Sequence, residues 1–211
     1  MLPDLAVSTT PLRPRAVRAR HAASLLVIRA SRAGPEVLMG MRGARHRFMP
    51  NKLVFPGGAV DRADLVAPAA SPLSALTRAR LERAANPALA HGIGVAAARE
   101  LAEETGLTLG TPPALAELQY LCRMITPPVM PIRFNARFLV VDAEHVTGTL
   151  AGSGELEGLR FFGLDEALGL ELPEPQRRVL ERLPAWLASS PEERAAETRL
   201  PVFRRRLWAL E

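Results

Sequence analysis

Three carboxylates lie close together in the short segment between Arg99 and Leu107, which reads RELAEETGL. If this segment is helical, Glu100, Glu103 and Glu104 leave the helix from the same face, because residues three and four apart are neighbours on a helix surface. Like charges at this spacing repel one another. A hard divalent cation such as Mg²⁺ would offset the repulsion, since it favours carboxylate oxygens. The segment therefore predicts a metal-binding helix.

A glycine-containing turn comes before this helix in the sequence. It consists of Phe55, Pro56, Gly57 and Gly58, and such a turn can bring backbone amides close to an anion. A metal-loaded carboxylate helix that faces this turn favours hydrolysis of a phosphate ester or anhydride. The alternative is a solvated acidic helix face that ends in a glycine C-cap and binds no metal.

Composition restricts the class of protein. The 211 residues, 48% of them hydrophobic, fit one globular domain with room for an insertion. No apolar run approaches the length of a bilayer span, so we expect no membrane partner. The net charge of +5 would suit nucleic acid, but one tyrosine and seven phenylalanines offer few platforms for stacking on bases. We therefore expect the arginines to hold the phosphates of a small molecule.

The cysteine content and the N-terminal residues predict a cytoplasmic protein. Cys122 is the single cysteine, which excludes an internal disulfide, and we expect it to be a core residue rather than a nucleophile. Residues 1–20 are rich in arginine, contain three prolines and have no apolar signal segment. They predict an extended leader ahead of a single domain over residues 21–211.

Strand and helix patterns are interspersed along the chain, which favours a layered α/β fold. In the segment 132–138, residues 133, 135 and 137 share one strand face and residues 134, 136 and 138 share the other. We expect strands at 21–30, 36–41, 52–55, 115–126, 132–142 and 159–163, and helices at 71–85, 95–105 and 173–188. Pro87 and the segment 92–94 (Gly-Ile-Gly) are expected to break the chain before the acidic helix, and residues 199–211 fit either a strand or a short helix.

The segment from Arg99 to Leu107 resembles the second half of the Nudix box, G-x5-E-x7-R-E-U-x-E-E-x-G-U, where U is aliphatic. Gly58 resembles the glycine that opens this box. The resemblance implies an α/β/α sandwich with a mixed sheet between helices and a helical insertion. It also implies hydrolysis of a diphosphate bond, with Mg²⁺ or Mn²⁺ held by Glu100, Glu103 and Glu104. The general base in this family comes from the helix or a variable loop, and Glu155 is the loop candidate here.

The box is interrupted by an insertion. Residues 59 to 98 separate Gly58 from Arg99, about twenty-seven more than the standard box allows, and we assign the insertion to about 62–92. In this family the box glutamate braces the loop by pairing with the box arginine. Counted forward from Gly58 its position falls on Asp64, and counted back from Arg99 it falls on His91. We expect Asp64 or Asp61 to brace Arg99, and His91 to be a surface or capping residue.

The insertion resembles one that a coenzyme A diphosphatase-type subgroup of the Nudix hydrolases has at the same place. The segments 49–58 (MPNKLVFPGG) and 126–138 (TPPVMPIRFNARF) also resemble motifs of that subgroup. The resemblance implies a nucleoside diphosphate linked to another group, with coenzyme A or an acyl derivative favoured. Dimers are frequent among such relatives, so the sequence leaves open whether this chain forms a homodimer. ADP-ribose, a dinucleotide polyphosphate, or a catalytically silent sensor of a nucleotide metabolite are the alternatives.

Arginines near the glycine turn and on one strand are the candidates for holding substrate phosphates. They are Arg42, Arg45 and Arg47 ahead of the turn, and Arg133 and Arg137 on the strand, with Gly57 and Gly58 offering backbone amides. We expect the arginine face of that strand to meet the substrate and its phenylalanine face to fill the core. We expect the insertion to determine substrate choice.

Overall fold

A computed structural model describes residues 17–43 and 50–211. Its strands are β1 (Arg20–Ser31), β2 (Gly34–Arg42), β3 (Leu53–Val54), β4 (Gly57–Ala59), β5 (Leu107–Thr108), β6 (Gln119–Ile125), β7 (Phe134–Asp142), β8 (Thr147–Gly148), β9 (Leu156–Gly163), β10 (Pro201–Arg204) and β11 (Leu207–Leu210). Its α-helices are α1 (Ala75–Glu82), α2 (Pro87–Thr105), α3 (Leu164–Gly169), α4 (Glu174–Ala188) and α5 (Pro191–Ala196). Short 3₁₀ turns cover Ala63–Leu65 and Ala143–His145.

A mixed sheet forms the middle layer. Its strands follow the order β11-β10-β6-β7-β1-β2-β3, with β4 also pairing with β1 and β9 with β2. β1 runs parallel to β7 and antiparallel to β2 and β4, whereas β10 runs parallel to β6. A separate small sheet joins β5 to β8. The predicted mixed sheet is therefore confirmed, and each predicted strand is present with shifted ends.

Helices cover both faces of this sheet. Successive residues of β1 point to opposite faces, so Leu25 packs in the core under α1 and α2, whereas Leu26 packs in the core under α3 and α4. Both side chains are fully buried. Because the strand is covered on both faces, its sequence is an apolar run rather than an alternating one. The α/β/α sandwich is thus confirmed, and Cys122 lies in the second core, where burial raises the pKa of its thiol to about 12.

The acidic helix is longer than predicted. α2 begins at Pro87 instead of residue 95, with the Asn86 side chain accepting from the Leu89 amide, and it ends at Gly106 with a φ of 74°. Proline is favoured in the first helical turn because it has no amide hydrogen to leave unpaired. Position 92, inside the helix, favours glycine because a Cβ there would come within 2.7 Å of the Leu65 side chain. The expected break at residues 92–94 was therefore wrong, whereas Pro87 does mark a boundary, the start of α2.

The C-terminal segment, left open between strand and helix, is a β-hairpin. β10 and β11 pair in antiparallel register, and the turn between them places Arg205 and Arg206 at positive φ. β10 adds to the sheet by pairing with β6, so the hairpin extends the sheet at one edge. Residues 1–16 of the predicted leader lie outside the described residues, and Arg20 already belongs to β1. No helix among the residues that are described combines the length and apolarity needed to cross a membrane.

Candidate functional site

The glycine turn and the acidic helix meet where β4 pairs with β1. Gly57 and Gly58 lie opposite Ser24 and Ala23, and α2 packs across both strands. Gly57 has a φ of 154°, and a Cβ on it would lie 2.7 Å from the Ser24 Cα. A Cβ on Gly58 would overlap the Glu100 carboxylate. The two glycines therefore allow a carboxylate to lie directly against the backbone.

Glu104 is the most buried of the three glutamates. Its side chain is 1% exposed, and its Oε2 accepts a hydrogen bond of 2.8 Å from the Gly57 amide. Its Oε1 accepts no hydrogen bond from the described residues, and Arg42 Nη2 lies 3.6 Å away. Burial raises the pKa of Glu104 to about 8, because desolvation outweighs the Gly57 hydrogen bond and Glu100 adds a like charge.

Glu100 and Glu155 lie in the same electrostatic environment. Burial raises the pKa of Glu100 even though Arg99 Nη1 donates to its Oε1 at 2.8 Å, and Glu103 and Glu155 add to the rise. Glu155 approaches from the loop before β9, with its Oε1 3.4 Å from Arg42 Nη2. Glu104 and Glu155 thus both lie near Arg42, whereas Glu100 pairs with Arg99.

Glu103 is the most exposed of the three glutamates. Its side chain is 57% exposed and accepts a hydrogen bond of 3.0 Å from Arg99 Nη1. Among residues 17–43 and 50–211, no three acidic, histidine or cysteine side chains are arranged around one point as a metal site requires. Glu100 and Glu104 therefore lie against the glycine turn, whereas Glu103 shares Arg99 Nη1 with Glu100, and its role as a metal ligand stays a prediction.

The donors at this site fit a hard divalent cation. Glu104 has a buried oxygen without a hydrogen-bond donor among the described residues, and Glu100 is a desolvated carboxylate beside it. A buried carboxylate needs a compensating positive charge, and Arg42 supplies only a long contact. Glu100 and Glu104 are consequently the residues that could hold Mg²⁺ or Mn²⁺.

Arg99 is fixed by a fork of two hydrogen bonds to Asp64. The Nε–Oδ1 and Nη2–Oδ2 distances are both 3.0 Å, and the hydrogen bonds to Asp64 raise the pKa of the guanidinium. Asp64 also accepts from the Asp61 amide at 2.8 Å. The Asp61 carboxylate is farther from Arg99, at 3.9 Å. His91 hydrogen-bonds the Ala67 carbonyl oxygen and takes no part in this arrangement.

A cleft of about 920 Å³ runs from the acidic site across the sheet. Its floor is a row of cross-strand neighbours from four strands, in the order Ala22, Ala136, Met124 and Phe203. Small side chains line the end near Gly58, and larger apolar ones line the other end. Five arginines also line the described part of the cleft, namely Arg18, Arg20, Arg42, Arg133 and Arg206.

The prediction that Arg137 holds a substrate phosphate was wrong, and the predicted insertion does not line this cleft. Arg137 does not reach it, because its side chain is fully buried under the opposite face, where it donates to the Ala84 and Asn135 carbonyl oxygens and to His21 Nδ1. Burial lowers the pKa of Arg137 to about 10. The insertion does not reach the cleft either, since no residue between 62 and 92 lines its described part.

The other predicted residues are placed as follows. Six of them line the cleft, namely Arg42, Gly57, Gly58, Glu100, Arg133 and Glu155. Two others, Arg45 and Arg47, lie outside the described residues. Sequence reasoning missed Arg18, Arg20, Gln176, Phe203 and Arg206, which also line it. The three consecutive arginines at 204–206 were a visible signal for one of these, and no comparable signal marks Gln176.

Comparisons with known proteins agree with this arrangement. Residues 92–183 match the model of the NUDIX domain, a match that starts inside α2, after the insertion. A NUDIX hydrolase from Alicyclobacillus acidocaldarius is 26% identical with a TM-score of 0.63, over 80% of this chain and 92% of that one. A MutT NUDIX hydrolase from Burkholderia pseudomallei is 20% identical with a TM-score of 0.53, over 79% and 99%. Among curated proteins there is no significant match. Residues 92–183 are thus similar to a NUDIX domain, and together with the similarity to the Alicyclobacillus hydrolase this match indicates a hydrolase that acts on pyrophosphate bonds.

Proposed function

We propose that this hydrolase cleaves the diphosphate bond of a nucleoside diphosphate linked to a second group, with coenzyme A or acyl-coenzyme A as the first candidates. The observation that carries the proposal is the cleft itself. It has Glu100 beside the glycine turn at one end, with the buried Glu104 one helical turn further along α2, an apolar floor leading away from them, and arginines along its length. A diphosphate flanked by two organic groups would place its phosphates at the acidic end and near the arginines, and a less polar group on the apolar floor.

Each residue at the acidic end has a distinct proposed task. Glu100 and Glu104 would hold Mg²⁺ or Mn²⁺, which when bound supplies positive charge to the bridging oxygens and makes water more acidic. Arg42 lies within 3.6 Å of Glu104 and is placed to bind a phosphate oxygen. Glu155 lines the same part of the cleft and is the candidate to take the proton of the attacking water. Arg99, held by Asp64, positions Glu100.

Coenzyme A is preferred over other linked nucleoside diphosphates for two reasons. The segments 49–58 and 126–138 resemble motifs of the coenzyme A diphosphatase-type subgroup. The floor beyond Ala136 is formed by Met124 and Phe203, which suit the less polar end of a long substrate. ADP-ribose would place a sugar over these apolar side chains instead.

A hydrolysis panel tests the proposal. Purified protein with Mg²⁺ or Mn²⁺ is incubated with coenzyme A, an acyl-coenzyme A, ADP-ribose and a diadenosine polyphosphate, and the products are identified by mass. Release of 3′,5′-ADP from coenzyme A is the expected result. Turnover of ADP-ribose or the diadenosine compound alone would refute the substrate assignment, and turnover of none would favour a silent sensor.

Two glutamine variants test the site. Glu104→Gln should lower turnover by about a hundredfold or more, because a metal ligand stabilises transition-state charge by several kcal/mol. Its cooperative unfolding should be preserved. Glu117→Gln is the matched control, since Glu117 is exposed and pairs only loosely with His145 at 3.6 Å. Near-normal turnover by Glu104→Gln would contradict its assignment as a ligand.

A further inference from the structure

Gln176 is a buried side chain whose carbonyl oxygen has no hydrogen-bond donor within the described part of the chain. The residue is 8% exposed, lines the cleft in the first turn of α4, and its Oε1 is out of contact with solvent. Leaving a buried acceptor unpaired is costly, and native proteins avoid it unless something else supplies the donor. A group at the cleft wall with this unmet requirement points to a ligand.

We propose that Gln176 forms a second recognition point in the cleft, which accepts a hydrogen bond from a neutral N–H group of the substrate. The donor is either the exocyclic amine of a nucleobase or a secondary amide in the group linked to the nucleoside diphosphate. This inference rests on the proposed function, because it requires a substrate long enough to extend from the acidic site to α4.

The charges beside Gln176 favour a neutral partner. Glu174, two residues earlier, forms an ion pair of 3.3 Å with Arg206 on the turn between β10 and β11. The negative charge of Glu174 in the first turn of α4 is already matched by that arginine. The same carboxylate also offsets the positive end of the helix dipole. A phosphate at this point would compete with Glu174 for Arg206. An N–H group needs no such displacement.

The position of α4 sets how far this point lies from the bond to be cleaved. α4 packs on β6, which is two strands from β1 in the order β6-β7-β1. Neighbouring strands are about 4.8 Å apart, so the two points are separated by about 10 Å across the sheet. The floor between them includes Ala136 and Met124. A planar or extended group can therefore lie on the floor and present its N–H edge to Gln176.

Binding measurements on Gln176→Leu test the proposal. The probes are AMP, purine riboside 5′-monophosphate, which lacks the exocyclic amine, and 4′-phosphopantetheine, which carries two secondary amides. Affinities are measured by titration calorimetry with Mg²⁺ present. Leucine keeps the size of glutamine but removes the acceptor, and the loss of one such hydrogen bond should weaken the responsible probe about ten- to a hundredfold. Gln119→Leu, an exposed glutamine on β6, is the matched control.

The stability of the variant separates recognition from a structural role. If Oε1 is held unpaired for a ligand, Gln176→Leu should unfold at the same temperature as the natural protein or at a higher one, because a buried polar atom has been removed. If glutamine served the fold, the variant should unfold at a lower temperature.

Each outcome decides the proposal. Weaker binding of AMP, with the purine riboside unchanged, supports recognition of a nucleobase amine, and weaker binding of phosphopantetheine supports recognition of an amide. An equal loss for all three probes, no loss for any, or no binding of any probe by the natural protein overturns it. The hydrolysis panel is independent, since failure to cleave coenzyme A would refute the substrate while these affinities still judge Gln176.

Discussion

Replacing Asp64 by alanine should destabilise the fold, because it removes the partner that fixes Arg99. The Asp64 side chain is 3% exposed and accepts three hydrogen bonds, two from Arg99 at 3.0 Å and one from the Asp61 amide at 2.8 Å. Removing one partner of a buried ion pair costs about 3–5 kcal/mol, because the other charge is left without compensation. Arg99 is 27% exposed and also pairs with Glu100, which lowers the expected loss to about 2–3 kcal/mol.

The free energy of unfolding is measured by urea titration followed by far-UV circular dichroism. For a chain of this size the expected loss corresponds to a fall in melting temperature of about 5–10 °C. Asp61→Ala is the control, because that carboxylate is 64% exposed and 3.9 Å from Arg99, and it should cost less than about 0.5 kcal/mol. The two variants have the same chemistry next to the same arginine. Equal losses in both would refute the bracing role of Asp64.

A glycine and a histidine allow two further tests. Gly58→Ala should weaken Mn²⁺ binding more than tenfold in calorimetry with little change in stability, because its Cβ would displace the carboxylate of Glu100, the end of a flexible side chain, rather than the backbone. Unchanged affinity would contradict this. Burial, with Arg137 adding, lowers the pKa of His21, whose Nδ1 accepts a hydrogen bond of 2.8 Å from that arginine. Below about pH 6.5 the unfolded chain therefore binds a proton that folded His21 does not, so stability falls as the pH drops. His21→Gln keeps an acceptor that does not titrate and should make the urea midpoint depend less on pH between 5 and 7.5. An identical pH dependence in both proteins would count against this explanation.

The parts of the fold that local periodicity determines were predictable. β1 is apolar on both faces because helices cover both, and the C-terminal end of α2 follows from Gly106. The start of α2 was not predictable from the same rules. Gly92 and Gly94 read as breaks, yet each is a packing site where a side chain would meet Leu65 or Leu73. Only the tertiary structure shows those neighbours.

The strand that carries Arg137 shows a second kind of limit. Its alternation correctly separates Arg137 from Phe134 and Phe138, which line the cleft while Arg137 lies on the opposite side. Arg133, which precedes the strand, also lines the cleft and does not follow the alternation. Alternation does not say which face a substrate meets. That choice depends on which helices cover the sheet, and here α4 leaves part of its face open.

The hairpin formed by β10 and β11 is a third example. Phe203 reaches the cleft only because β10 pairs in parallel with β6, a contact between segments about eighty residues apart. Parallel pairing of distant segments has no local sequence signal comparable to a turn or a cap. The consecutive arginines at 204–206 are visible in the sequence, but the position of Arg206 at the cleft follows from this pairing.

The insertion acts on the cleft at a distance rather than by lining it. Its first turn contributes Asp64, which fixes Arg99, and its helix α1 is joined to the C-terminal segment by hydrogen bonds from Arg80 to the Arg194 carbonyl and from Arg83 to the Thr198 carbonyl at 2.9 Å. That segment leads directly into β10 and hence to Phe203. The insertion is therefore connected to both ends of the cleft, to the acidic site through Asp64 and to the apolar end through residues 194–198. Changes within it should alter stability and the alignment of the two ends, whereas the groups that line the described part of the cleft come from α2, α4, the hairpin, the strands and the loops between them.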